Sequence, residues 1–195
     1  MNRISQSIKN RLSLRPPQAE SLNILAELAD KLMLKKHTPN PSQEGNFLKE
    51  QLELVKSAYP TCTDFERNFP SICFALATGV GKTRLMGAFV AYLYLAKGIR
   101  NFFVLAPNLT IYNKLIEDFS NTTHPKYVFQ GIGEFVHNNP AIITGDNYNS
   151  IGNLYKEQEI RINVFNISKI NSEMRGGKLP RIKRLSEYLG DSYFK

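Results

Sequence analysis

The sequence predicts an α/β domain in which a mostly parallel sheet is flanked by helices. The segments Ile72 to Ala77 and Asn101 to Ala106 each have strand length, and each leads through a turn into a helical pattern. Strands that alternate with helices build parallel sheets. Ile72 to Ala77 is an unbroken apolar run rather than an alternating one, the mark of a strand covered on both faces. Its turn is a glycine loop, Thr78-Gly79-Val80-Gly81-Lys82-Thr83.

Taken in order, the chain first offers a helix from Gln18 to Lys36. Leu22, Leu25, Ala29 and Leu32 recur there at helical spacing, and Glu20, Glu27, Asp30 and Lys31 fall mostly on the other face. Pro16 and Pro17 sit just before it, where a missing N–H costs a helix nothing. His37 to Asn46, with Pro39, Pro41 and Gly45, predicts a loop. Phe47 to Tyr59 then predicts a second helix with Leu48, Leu52, Val55 and Tyr59 on one face, ended by Pro60. Beyond the glycine loop, Arg84 to Lys97 predicts a mostly buried helix closed by Gly98. After the second strand, Pro107 and Asn108 form the turn and Leu109 to Phe119 the helix. Tyr127 to Gln130, Ala141 to Thr144 and Ile160 to Ile167 predict further strands, and Leu179 to Phe194 a basic helix. Residues 1–70 form an N-terminal helical region and residues 71–195 the core.

Composition bounds the function. With 25 Lys and Arg against 17 Asp and Glu, the 195-residue chain has a formal charge of +8 and a pI near 9.5, which suits a polyanionic partner. A membrane surface would also fit that charge, but the longest strongly apolar run, Leu85 to Ala96, is well short of the roughly 20 residues that span a bilayer, so no transmembrane helix is expected and the membrane is not among the expected partners. No apolar segment of signal-peptide length follows Met1, and a cytoplasmic location is expected. Cys62 and Cys73 form no CxxC pair and His37, His124 and His137 are scattered, which argues against a disulfide framework or a zinc site.

The loop at 78–83 carries the chemistry. A phosphate-binding loop needs glycines that let successive amides point into one concavity, a lysine that reaches the outer phosphates, and a hydroxyl for magnesium. Gly79 and Gly81 permit the turn, Lys82 supplies the charge and Thr83 the metal ligand. Thr78 and Val80 complete the cradle, and the helix beyond directs its positive end toward the anion. The full eight-residue pattern asks for glycine where Leu76 stands, so the flanking strand and helix supply the confirming context.

Ala77-Thr78-Gly79-Val80-Gly81-Lys82-Thr83, without the first glycine, resembles motif I of the superfamily 2 helicases and translocases. Leu14-Arg15-Pro16-Pro17-Gln18-Ala19-Glu20 resembles the glutamine motif of that superfamily, with Gln18 at the adenine-reading position. Val104-Leu105-Ala106-Pro107-Asn108, continued by Leu109-Thr110-Ile111, is similar to motif Ia, which grips the phosphate backbone of nucleic acid. Phe69-Pro70-Ser71-Ile72, Thr83-Arg84-Leu85-Met86-Gly87 and Phe165-Asn166-Ile167-Ser168-Lys169-Ile170-Asn171 are most similar to the restriction subunit of type III restriction enzymes.

That resemblance implies a RecA-like fold, ATP and Mg2+ as cofactors, and movement along double-stranded DNA, with a nuclease domain far downstream. It implies catalytic roles for Lys82 and Thr83, nucleotide contacts from Gln18 and residues 78–83, and DNA-phosphate contacts from Pro107, Asn108 and Thr110. A methyltransferase or specificity subunit is the implied partner. The family's Asp-Glu-x-His box has no counterpart here, since no Asp-Glu pair occurs in the sequence. Asp146, after Ile142-Ile143-Thr144-Gly145, is read as a turn residue, and Glu117-Asp118 is set aside because it lies inside a helical pattern. The expectation is therefore an incomplete first motor lobe, truncated before motif II, that binds ATP without turning it over. The alternatives are a stand-alone non-catalytic nucleotide- or DNA-binding protein and a different superfamily 2 DNA helicase.

Overall fold

A computed structural model describes residues 2–34, 41–67, 69–147 and 160–167. In chain order these form α1 (Arg3–Arg11), α2 (Pro16–Lys31), α3 (Pro41–Ala58), α4 (Lys82–Lys97), β1 (Asn101–Ala106), α5 (Leu109–Ser120), α6 (Gly133–His137), β2 (Ala141–Thr144) and β3 (Arg161–Asn166). The three strands make an all-parallel sheet in the order β1-β3-β2, with β3 in the middle. Register pairs Asn101 with Arg161 and Ala141 with Arg161 at the strand starts. The fold is thus mixed α/β with a parallel sheet, as the alternation implied.

Packing follows the apolar pattern. Along α5, Tyr112, Leu115 and Phe119 are buried, and the helix lies against all three strands. The same core holds Val104, Ile162 and Val164 from the sheet. On the other side of α4, α1 and α2 bring Ile8, Leu22 and Ala26 against Leu85, Ala88 and Tyr92 in that core. A smaller cluster of Leu28, Leu32, Val55 and Phe65 joins α2 to α3.

Several expectations need correction. Residues 72–77 are not assigned to the sheet: among the described residues they have no ladder partner, and most are exposed. An apolar run becomes a strand only when a neighbour takes up its amides and carbonyls. Tyr127 to Gln130 is not a strand either. Its main chain bonds locally, with Ile132 N donating to Phe129 O (3.0 Å), and Val128 N donates to Asp118 O (2.9 Å). Its side chains still enter the core: the Phe129 ring stacks on Phe135 at 4.2 Å and meets Phe119 edge-on at 5.6 Å.

Helix boundaries moved where tertiary bonds outweighed periodicity. α2 stops at Lys31 because Leu32 turns extended to join the α2–α3 cluster, and Met33 N then donates to Gln51 Oε1 at 2.9 Å. α3 begins at Pro41 rather than near Phe47, because proline is well tolerated in a first turn. α1 was not expected, since Ile4 and Ile8 alone carry its apolar spacing. It closes in a Schellman turn at Ser13, a left-handed residue with φ +48°. The helix expected over 179–194 and the segment 168–171 lie outside the described residues.

Gly87 sets how closely α4 meets the turn at 127–130. A Cβ there would lie 2.6 Å from Val128 Cβ and 2.8 Å from Val128 O. Overpacking of this kind costs about 1–3 kcal/mol, against a helix-propensity gain of about 1 kcal/mol for replacing glycine. Gly87→Ala is therefore expected to lower the urea unfolding midpoint. An unchanged or raised midpoint would show that Val128 gives way freely.

Candidate functional site

The loop between residue 77 and α4 is built by two left-handed glycines, Gly79 at φ +82° and Gly81 at φ +92°. Residues with a Cβ adopt this region at a cost, so glycine is needed at both positions. Gly81 carries a second constraint, because a Cβ there would sit 2.7 Å from Gln18 Nε2. It is also the N-cap of α4, whose first residues are Lys82 and Thr83. Backbone amides and the positive end of the helix dipole therefore meet at one place.

Gln18 reaches this loop from the first turn of α2. It is 2% exposed, and both ends of its amide are engaged: Oε1 accepts from Arg15 N at 2.8 Å, and Nε2 donates to Gly81 O at 2.8 Å. Arg15 Nη1 adds a bond to Gly79 O at 3.3 Å. Lys82 is exposed and folds back along its own loop, donating from Nζ to Ala77 O at 3.0 Å. Thr83 is half-buried, Val80 is half-buried and Thr78 is exposed.

A cavity of about 380 Å³ opens at the loop. One wall is Arg15 and Gln18, a second is Gly79 to Gly81 with Thr83 and Arg84, and the third is Lys114, Asp118 and Lys126. Arg84 is fixed by a 3.0 Å bond from Nη1 to Leu12 O. A larger cavity of about 680 Å³ lies between α2, α3 and residues 61–74, lined largely by apolar groups such as Phe65, Phe69 and Ile72. Volume favours the larger cavity, but loop amides and clustered cations are found at the smaller, which makes it the candidate site for an anion.

Asp118 is the residue that periodicity concealed. It is 2% exposed on the buried stripe of α5, with Lys114 Nζ 3.8 Å from its Oδ2 and His124 Nδ1 3.6 Å from its Oδ1. Burial pushes its carboxyl above the usual range, although Lys114, His124 and Lys126 pull the other way; Glu117 adds to the rise. A perturbed carboxyl in a cleft marks a candidate functional group. The available signal was a carboxylate three residues after Leu115, on the apolar face itself.

The expected DNA-contact residues lie elsewhere. Pro107, Asn108 and Thr110 are exposed where β1 passes into α5, and none of them lines the loop cavity. Asn108 caps α5, its Oδ1 accepting from Ile111 N at 2.9 Å, which leaves the cap independent of its amide donors. Asp146 sits in a turn after β2 and also lies outside the cavity, in keeping with its reading as a turn residue. Among the described residues there is no group of three or more His, Cys, Asp or Glu that could hold a metal ion. No helix among them is long and apolar enough to cross a membrane.

Comparison with known proteins adds an independent line. The family described as "Type III restriction enzyme, res subunit" matches residues 11–194. A Haemophilus influenzae protein described as "Probable type III restriction-modification enzyme HindVIP Res subunit" is 34% identical over 98 residues. That match covers 44% of this chain and 19% of the relative, so the chain corresponds to a small part of the relative's length. No solved structure matches the chain.

Asp118 makes a pH prediction. A carboxyl whose folded pKa is raised favours folding when protonated and costs stability once the pH rises through that pKa. Asp118→Asn should therefore raise the melting temperature at pH 7, and the advantage should shrink as pH falls through the acidic range. A variant less stable than the parent at pH 7 would mean that the Lys114 and His124 contacts outweigh burial.

Proposed function

The chain belongs to the family of type III restriction enzyme Res subunits, and on that premise we propose that it is the ATP-binding part of a RecA-like lobe of a DNA translocase. The observation that carries the reading is the loop at 78–83: two left-handed glycines open onto the start of α4, where Thr83 lines a cation-bearing cavity and Lys82, outside that lining, is exposed with its Nζ on Ala77 O. This donor set fits a magnesium-bound triphosphate. The amides and Lys82 would hold the phosphates and Thr83 the magnesium ion. When bound, ATP supplies a transferable phosphoryl group, and this chain's residues hold and neutralise it. Gln18 has one lone pair and one N–H left beyond its two protein bonds, which is the pair an adenine edge requires.

Pro107, Asn108 and Thr110 form the proposed contact to DNA phosphates, and such contacts carry no sequence preference. The partner is double-stranded DNA, with a methyltransferase or specificity subunit alongside. The reading as part of a larger lobe, rather than a stand-alone binding protein, is supported by exposed apolar side chains at Phe103, Leu105, Leu109 and Ile111, along β1 and the start of α5. A cluster of this kind marks surface that another segment or partner covers.

Calorimetry tests the nucleotide site. Lys82→Ala should weaken Mg-ATP by about ten-fold or more, as for loss of a charge-assisted hydrogen bond worth roughly 1.5–3 kcal/mol. Gln18→Ala should lower ATP affinity more than GTP affinity. ATP affinity that ignores Lys82→Ala would remove the assignment.

A separate measurement addresses turnover. The 195 residues contain no Asp-Glu pair to ligate magnesium and position water, and such a general base commonly contributes about 100-fold to 10,000-fold. The chain alone is expected to show no appreciable ATPase, with or without DNA. Ordinary turnover that vanishes in Asp146→Ala would make Asp146 the missing carboxylate.

A further inference from the structure

We propose that Lys114 and Lys126 are a second set of phosphate-binding side chains, placed opposite the glycine loop by Asp118. The proposal rests on the reading of residues 78–83 as a phosphate loop and extends it to a wall of the cavity that no motif predicted. Among the described residues, four cationic side chains, Arg15, Arg84, Lys114 and Lys126, line the one cavity with a single carboxylate, that of Asp118. They come from separate parts of the fold: the residue that caps α2, the first turn of α4, the middle of α5 and the turn beyond it. Like charges gathered around one cavity repel one another, and a polyanion between them relieves the repulsion.

Placement is the second part of the argument. Lys114 precedes Asp118 by one helical turn, and its ammonium lies 3.8 Å from the buried carboxylate. Lys126 is brought to the same wall by the chain itself, because Val128 N donates to the main-chain carbonyl of Asp118 at 2.9 Å. His124, on the same turn, stands 3.6 Å from the Asp118 carboxylate. One residue thus orients one lysine with its side chain and positions the other with its backbone. Both lysines keep exposed side chains, which a bound anion could engage without unfolding anything.

The deciding probe is inorganic tripolyphosphate, titrated calorimetrically into the full chain without magnesium. Lys114→Ala and Lys126→Ala should each weaken binding roughly five-fold, and the double variant about twenty-five-fold, the scale of partly screened charge contacts. Lys114→Arg and Lys126→Arg should restore affinity. Lys97→Ala removes the same charge at the far end of α4, where Lys97 pairs with Asp30 at 2.6 Å, and should leave affinity unchanged. Tripolyphosphate binding that is absent, or unaltered in the double variant, overturns the proposal. So does an equal loss in Lys97→Ala, which would reduce the effect to net charge. ATP titrated in parallel separates the two readings. If ATP fails to bind while tripolyphosphate binds through Lys114 and Lys126, the nucleotide reading falls and the anion wall stands. If ATP binding depends on Lys82 while tripolyphosphate ignores both lysines, the reverse holds.

Discussion

The two hydrogen bonds of Gln18 are the constraint on which the site depends. In a strand-loop-helix unit, a phosphate loop is ordinarily fixed from both sides, by a paired strand before it and a helix after it. Here residues 72–77 are not in the sheet, so the leading side contributes no ladder bonds. The loop is instead held by α4, which is packed against α1 and α2, and by Gln18, whose amide ties Gly81 O to the N-terminus of α2. A buried amide with both ends satisfied has little freedom to rotate, and an unsatisfied one is costly. Arg15 repeats the connection at Gly79. The N-terminal helices are therefore part of the site's framework rather than an appendage to the core.

That dependence explains which parts of the molecule could be read from sequence. The loop, β1, β2, α4 and α5 were legible because their signals are local: glycines at fixed offsets, β-length apolar runs, a proline or Asn turn before a helix. Ile72 to Ala77 has the same local signal as β1, yet strand formation is a property of the pair, and the difference lies in what stands beside it. Tyr127 to Gln130 failed for the complementary reason. Its residues are buried as a strand's would be, but their burial comes from the Phe119, Phe129 and Phe135 rings around a turn, a packing that period-2 reasoning does not anticipate. α1 escaped notice because two isoleucines suffice when the rest of the interface comes from α2 and α4.

The candidate site divides along the same line. Gly79, Gly81, Lys82 and Thr83 were named from their spacing and Gln18 from the resemblance to the glutamine motif; Gln18 bonds to the loop and lines the cavity with Gly79, Gly81 and Thr83, whereas Lys82 lies outside that lining. The cavity's far wall was not named, because Lys114, Asp118 and Lys126 belong to no pattern and meet the loop only through the packing of α5 against α4. Periodicity treated Asp118 as an ordinary helix residue. Its burial sets it apart, since taking a carboxylate out of water is costly unless partners offset it, and here Lys114 and His124 stand within 3.8 Å.

On the proposed reading, binding and hydrolysis place different demands on this site. Holding a triphosphate requires donors and positive charge at fixed positions, and on the proposed reading the glycine loop, Lys82 and the cations of the cavity are those groups. Hydrolysis also requires a carboxylate that positions water and a metal held by more than one protein ligand. Asp118 is a single carboxyl there: burial and Glu117 push it up, Lys114, His124 and Lys126 pull it down, and among the described residues no second carboxylate lines the cavity. On the proposed reading, the described residues at this cavity supply several groups for holding phosphate and, among carboxylates, Asp118 alone.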